Sequence, residues 1–215
     1  MDELVLELDI ALLILRGYES QDVDAKAPGH WRNWTAGEKA ELVRDMMAMA
    51  NSDRPGWILL GIAEGQAGEW LHEGLTAAQS ASFDPSDIGK KVKRLSDPEV
   101  KFSVHRVKVH RKMYVAIRVE PFQTMPHICR ASSGTVVEEG AIYVRNEACE
   151  TSKITTAEQA RNLIERATQA HADSIVGRIA ELMAQVSMLG AAQARGAESK
   201  WARQIEEAHR EAGKI

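Results

Sequence analysis

Apolar and polar positions follow two periods along the chain, and each change of period marks an element. Leu4, Val5, Leu8, Ala11, Leu12 and Leu15 recur at helical spacing. They predict a helix over residues 2–16 with that face turned inward. Gly17, a common residue just past a helix end, stops it. Residues 18–26 read as a short polar strand or loop, and Pro28-Gly29 as a turn. Thr35 and Glu38 have capping-box spacing for a helix to about Ala50. Its inner side carries Leu42, Met46, Met49 and Ala50. Asn51 to Gly56 breaks it. Trp57 to Ile62 is a continuous apolar run, which predicts a central strand covered on both faces.

Residues 64–83, with Gly65, Gly68 and Gly74, predict loop and hairpin. Asp84-Pro85 opens a helix to about Leu95. Val100 to His110 alternates, Arg111-Lys112 turns the chain, and Tyr114 to Val119 returns as the second strand of a hairpin. Ala141 to Arg145 predicts another strand. Thr155 and Glu158 have the spacing of a second capping box, and a long helical region starts there. Within it Ile175, Ile179, Leu182, Val186 and Leu189 repeat as an a/d seam, resumed by Trp201, Ile205, Ala208 and Ala212. The predicted class is α+β: a mixed sheet flanked by helices, with a C-terminal helical extension. The expected domains are residues 1–167 and residues 168–215, the latter an oligomerisation or docking helix.

Composition narrows this picture. The 215 residues are 44% hydrophobic and 27% charged, an ordinary globular balance. Two cysteines, Cys129 and Cys149, are too few for a disulfide framework. The longest apolar run, Ile10 to Leu15, is far short of the roughly 20 residues a membrane helix needs. The first residues are acidic rather than basic, so no secretory leader is expected and the cytoplasm is the expected compartment. Charge is uneven: residues 1–80 carry a net −8, residues 81–130 a net +6, and residues 131–215 a net −2. An acidic chain with a basic middle is not a bulk nucleic-acid coat, but it can carry a local phosphate-binding surface.

The sharpest chemical signal is Glu19-Ser20-Gln21-Asp22-Val23-Asp24-Ala25-Lys26. In an extended backbone Asp22, Asp24 and Lys26 share a side. Carboxylates with one lysine suit a divalent ion and a phosphate; a solvated acidic strand edge has the same pattern. Arg106, Lys108 and His110 share one strand face, and Lys90, Lys91, Lys93 and Arg94 crown the preceding helix. Both sets suit a phosphate backbone, or an edge strand blunted by charge. Arg145 lies inside an apolar strand and requires an acidic or phosphate partner. Trp31 and Trp34 suit either base stacking or closure of the core. Ser20 has no histidine at triad spacing, and no Gly-x-x-x-x-Gly-Lys-Ser/Thr loop exists.

Four pieces, in order, resemble the Schlafen-type AlbA-like domain of bacterial proteins. They are Gly17-Tyr18-Glu19-Ser20 with Val23-Asp24-Ala25-Lys26; Met47-Ala48-Met49-Ala50-Asn51-Ser52 with Gly56 to Ile62; Met125-Pro126-His127; and Gly140-Ala141-Ile142-Tyr143-Val144-Arg145 with the helix behind it. The resemblance covers residues 4–167. It implies nucleic-acid contact, mainly RNA, with tRNA among the expected targets and DNA as the other class. It also implies a metal-dependent endoribonuclease site holding Mg²⁺ or Mn²⁺. Carried over, Glu19 and Asp24 match the first two acids and Lys26 the lysine. The third acid's position holds Ala63, with Glu64 following, so Glu19, Asp24 and Glu64 form the expected metal set. Three readings stay open: an endoribonuclease, a non-catalytic binding module in a defence or transcription complex, and an assembly component. Paired domains in eukaryotic Schlafens imply a homodimer or higher oligomer here, with a protein partner on the C-terminal helix as the other use of that segment.

Overall fold

The computed structural model describes residues 3–212, and side chains for residues 4–188, 201 and 203. It divides into two compact units, Met1–Ala170 and His171–Ile215. The first unit is built on a four-stranded mixed sheet. Strand β1 (Val23–Lys26) runs parallel to β2 (Gly56–Leu60), and helix α2 (Ala36–Ala50) makes the crossover between them. The antiparallel hairpin β6 (Phe102–Val109) and β7 (Lys112–Val119) joins through β7, which gives the order β1-β2-β7-β6.

Alternation along the strands sorts the two faces, because successive side chains point to opposite sides. Ile58, Leu60, Val115, Ile117 and Val119 pack on one side with α2 and helix α4 (Pro85–Leu95). Leu59, Ala116, Tyr114 and Val107 pack on the other with Ile10 and Ile14 of helix α1 (Glu3–Arg16). β2 therefore is the central strand its apolar run predicts, but it ends at Leu60. Gly61, at φ 104°, turns the chain out of the sheet. The next two strands, β3 (Ile62–Glu64) and β4 (Trp70–His72), form a separate hairpin.

Further differences from expectation lie in α1, the hairpin turn and the last helix. The inward face of α1 is Ile10 and Ile14, whereas Leu4, Val5, Leu8, Leu12 and Leu15 are exposed. The hairpin turn falls on His110-Arg111, both at positive φ, so Lys112 already belongs to β7. The last helix, α5 (Ala157–Ala212), is capped by Thr156 with Gln159 rather than by Thr155 with Glu158. The other caps follow the sequence: Thr35 with Glu38 on α2, and Asp84 ahead of Pro85 on α4. Thr76 adds a further capping box with Gln79 on the short helix α3 (Ala77–Ser82).

The remaining short strands are β5 (Ser96–Asp97) with β8 (Ile128–Cys129), and β9 (Tyr143–Arg145) with β10 (Thr151–Lys153). β9 begins two residues later than its apolar run predicts. Asn51, at the end of α2, ties this region down. Its amide donates to the carbonyls of His127 and Tyr143 and accepts from the His127 N–H.

The second unit consists of the α5 residues from His171 onward. Ile175, Ile179, Leu182 and Val186 of the predicted seam are exposed, as are Val176 and Met183 beside them. Trp201 is exposed too. The side chains of Leu189, Ile205, Ala208 and Ala212 lie outside the described residues. Among the described residues no helix is long and apolar enough to cross a membrane.

Candidate functional site

The acid-x-lysine of β1 sits under α2, and there it meets groups the sequence pattern does not connect. Asp24 and Lys26 share the sheet face that α2 covers. Lys26 Nζ lies 2.9 Å from Asp24 Oδ2 and 2.7 Å from Asp45 Oδ2 on α2. Asp24 is 6% and Asp45 2% exposed. Arg145 Nη1 lies 3.4 Å from Asp24 Oδ1, and Arg44 Nη2 lies 3.2 Å from Asp45 Oδ1. Arg44 in turn reaches Glu41 at 3.4 Å. The result is a line of alternating charge: Arg145, Asp24, Lys26, Asp45, Arg44, Glu41. A carboxylate removed from water needs such neighbours, because an unpaired buried charge is expensive. Burial disfavours the Lys26 ammonium, but the two aspartates outweigh it and raise its pKa above the usual lysine value.

Glu19 stands beside this line. Its Oε1 accepts the Ala25 N–H at 3.0 Å. Partial desolvation raises its pKa above the ordinary carboxylate value; the Ala25 bond, Arg145 and Lys26 pull it down, and Asp24 adds to the rise. Asp22 accepts from the Ser20 hydroxyl at 2.5 Å. Glu64 is exposed at the end of β3, with its Oε1 near Gly68 in the hairpin turn. The structure thus gathers Glu19, Asp24, Lys26 and Arg145, adds Asp45, and leaves Glu64 on another element. Among the described residues no group of three or more His, Cys, Asp or Glu side chains is placed to hold a metal ion. Asp24 and Asp45 are already neutralised by protein cations. The expected set of Glu19, Asp24 and Glu64 is thus divided between the β1 region and the β3 hairpin, with Asp24 engaged by Lys26 and Arg145.

Asp45 has only one signal in the sequence. It is an acid on the apolar side of α2, between Leu42 and Met46, where an unpaired carboxylate would be costly. Arg145 needs a partner and finds three: Asp24 and the carbonyls of Ser20 and Val23. Its side chain is 4% exposed, so it faces the protein and not a phosphate.

The basic residues also divide. Arg106 is spent on the carbonyls of Ser80 and Phe83, at 3.3 and 3.1 Å, which fixes the start of α4. Lys90 pairs with Asp87 at 2.8 Å. Lys108 is exposed on β6, between the inward Val107 and Val109. Lys91 has a pKa lowered first by partial burial, then by the charges of Arg94 and Lys39. Lys91 therefore has a cation on its own helix and one on α2 for neighbours. Lys39 Nζ also rests 5.5 Å above the Trp31 ring.

Beside the buried charges opens a cleft of about 220 Å³, lined by Lys26, Pro28, Trp34, Glu38, Glu41 and Leu42. Trp31 is buried, whereas Trp34 is the cleft's aromatic wall. Trp34 is braced by Trp31 at 5.6 Å and by Phe83 at 5.4 Å between ring centroids. Its indole passes so close to Gly29 that a Cβ there would stand 2.4 Å from Trp34 Nε1, so a larger residue at position 29 would displace the ring.

Comparison with known proteins places the fold in a family. No curated protein matches the sequence. Among solved structures, the chain is similar to the DIP2311 protein of Corynebacterium diphtheriae. The identity is 16% and the TM-score 0.45, over 73% of this chain and 27% of that one. It therefore spans about a quarter of that protein's length. It is also similar to the N-terminal domain of a protein of Nitrosomonas europaea described as related to ATP-dependent DNA helicase RecG. Here the identity is 16% and the TM-score 0.40, over 67% of this chain and 93% of that domain. The family model described as "Schlafen, AlbA_2" matches residues 19–153, well over half of the chain. The matched span runs from Glu19 to the end of β10, and this chain belongs to the Schlafen AlbA_2 family.

Proposed function

We propose that this protein binds nucleic acid, RNA before DNA, as a module that holds the strand without cutting it. One observation carries the reading: α4 packs beside α2, and Lys91 of α4 has Arg94 one turn along its own helix and Lys39 of α2 within electrostatic reach. Like charges that crowd together are relieved by an anion, and a phosphate backbone supplies anions in series. Lys90 and Lys93 on the same helix are paired with Asp87 and Glu99, which leaves Lys91 and Arg94 as the cations of α4 for this surface. RNA is preferred because the resemblance to Schlafen-type domains implies it. The charge line from Arg145 to Glu41 has a structural part in this reading: it locks β1 to α2 beneath the binding surface.

The test is RNA affinity followed against salt, comparing the parent chain with Lys91→Ala and Arg94→Ala. Removing one phosphate-binding cation should flatten the log–log slope by about 0.7–0.9. An unchanged slope in both variants removes this surface from the interface.

The exposed apolar stripe on α5 favours an assembly role in addition. Ile175, Ile179, Leu182 and Val186 keep heptad spacing with no cover. A second copy of the chain is the proposed cover, which would join binding modules into a dimer or higher oligomer. A protein partner in a defence or transcription complex is the alternative.

A further inference from the structure

The geometry points to the Trp34 cleft as a pocket for one unpaired guanine base. This rests on the nucleic-acid reading and adds a base preference to it. A cavity of ~150 Å³ accepts a benzene ring, so about 220 Å³ has room for a single aromatic heterocycle. Trp34 supplies a flat wall of the kind on which unpaired bases stack. Three neighbours hold that wall in place before any ligand arrives: Trp31, Phe83 and the bare Cα of Gly29.

The polar lining selects among the bases. Lys26 can only donate, and glutamates can only accept. Two of the three Lys26 protons serve Asp24 and Asp45, which leaves one for a ligand. Glu38 uses Oε2 on Thr35, and Glu41 uses Oε1 on Arg44, which leaves an acceptor oxygen on each. The charged side chains of the cleft thus offer one donor beside two acceptors. Guanine presents the complement on its pairing edge: the O6 acceptor, then the N1–H and N2–H donors. Adenine and cytosine each bring a single donor group there, and uracil sets one donor between two acceptors. A phosphate is excluded by the glutamates. The adjoining Lys39, Lys91 and Arg94 hold the backbone of the same strand.

The experiment uses the full chain and short single-stranded RNAs of uridine with one central position varied. That position is guanine, inosine (which lacks the 2-amino group), adenine or cytosine. Affinities are read by fluorescence anisotropy at one salt concentration. The guanine strand should bind about tenfold or more tighter than the all-uridine strand, as good base contacts do. Inosine should fall between. In Glu38→Gln/Glu41→Gln the guanine-to-uridine ratio should drop toward one; glutamine at position 38 still completes the capping box. Equal affinity for all strands, or an undiminished ratio in the double variant, overturns the guanine pocket while leaving nucleic-acid binding intact. Free guanosine separates the two ideas from the other side. If no RNA binds but guanosine quenches tryptophan fluorescence in the parent and not in the double variant, the pocket stands and the nucleic-acid reading falls. Silence in both assays overturns both.

Discussion

Lys26 Nζ lies 2.7 Å from Asp45 Oδ2, and this contact joins the first strand of the sheet to the helix that covers it. The lysine is shared with Asp24, so it neutralises two buried carboxylates at once. Lys26→Met should therefore destabilise the fold by about 3–5 kcal/mol, the usual cost of stranding a buried charge. Asp45→Asn, which keeps shape and some hydrogen bonding, should cost about 1–3 kcal/mol. Urea unfolding at neutral pH measures both. A Lys26→Met protein as stable as the parent would remove this network from the account of the fold.

Asp24 and Asp45 are engaged by protein cations, and Glu64 sits on a separate hairpin. RNA affinity should therefore be the same in Mg²⁺, in Mn²⁺ and in EDTA at constant ionic strength, and the RNA should stay intact. Discrete fragments that require Mn²⁺ and vanish in Glu19→Gln would overturn the non-cleaving reading.

His127 gives the fold a pH dependence. Burial lowers its pKa below 6.5, although its ring bond to the Pro98 carbonyl opposes the shift. A histidine held neutral in the fold protonates more readily when unfolded. Its stabilising share is thus full above pH 6.5 and is lost as pH falls through the depressed value. Tm measured on either side of pH 6.5 should fall on the acid side, and His127→Gln should flatten that fall. The same slope in the variant would assign the acid loss elsewhere.

The α5 stripe predicts concentration-dependent assembly. Leu182→Asp places a charge in the middle of the proposed seam and should shift light scattering to the monomer mass without changing the melting of the first unit. A parent chain that is already monomeric at high concentration would leave the apolar stripe to a different protein.

Local signals are the legible ones. Thr35 with Glu38, Asp84 ahead of Pro85, and the alternation of Val107, Lys108 and Val109 are each written within a few residues. The inner face of α1 is not legible, because leucine or isoleucine occurs on nearly every side of that helix, and periodicity cannot choose among apolar faces. Nor is the partner of Arg145, since Asp24 is 121 residues away. The need for a partner is readable from an arginine in an apolar strand; its identity is decided by tertiary packing. Asp45 is hidden for the same reason. Spacing after β2 draws Glu64 toward the site, but Gly61 turns the chain there and carries the carboxylate onto another sheet. The hairpin turn lies one residue from its expected place because His110-Arg111 adopts positive φ without the Asn or Gly that normally announces it.

Asn51 closes the end of α2 with groups that are 76 and 92 residues further along the chain. On a ribosome this has a cost in time. At about 5–20 residues per second, the Tyr143 carbonyl emerges on the order of 10 s after Asn51 itself. Until then the buried end of the crossover helix has water for a partner, and the nascent N-terminal half is a substrate for chaperones and proteases. Truncations that stop before Tyr143 should therefore be degraded in cells even though they contain every strand of the main sheet.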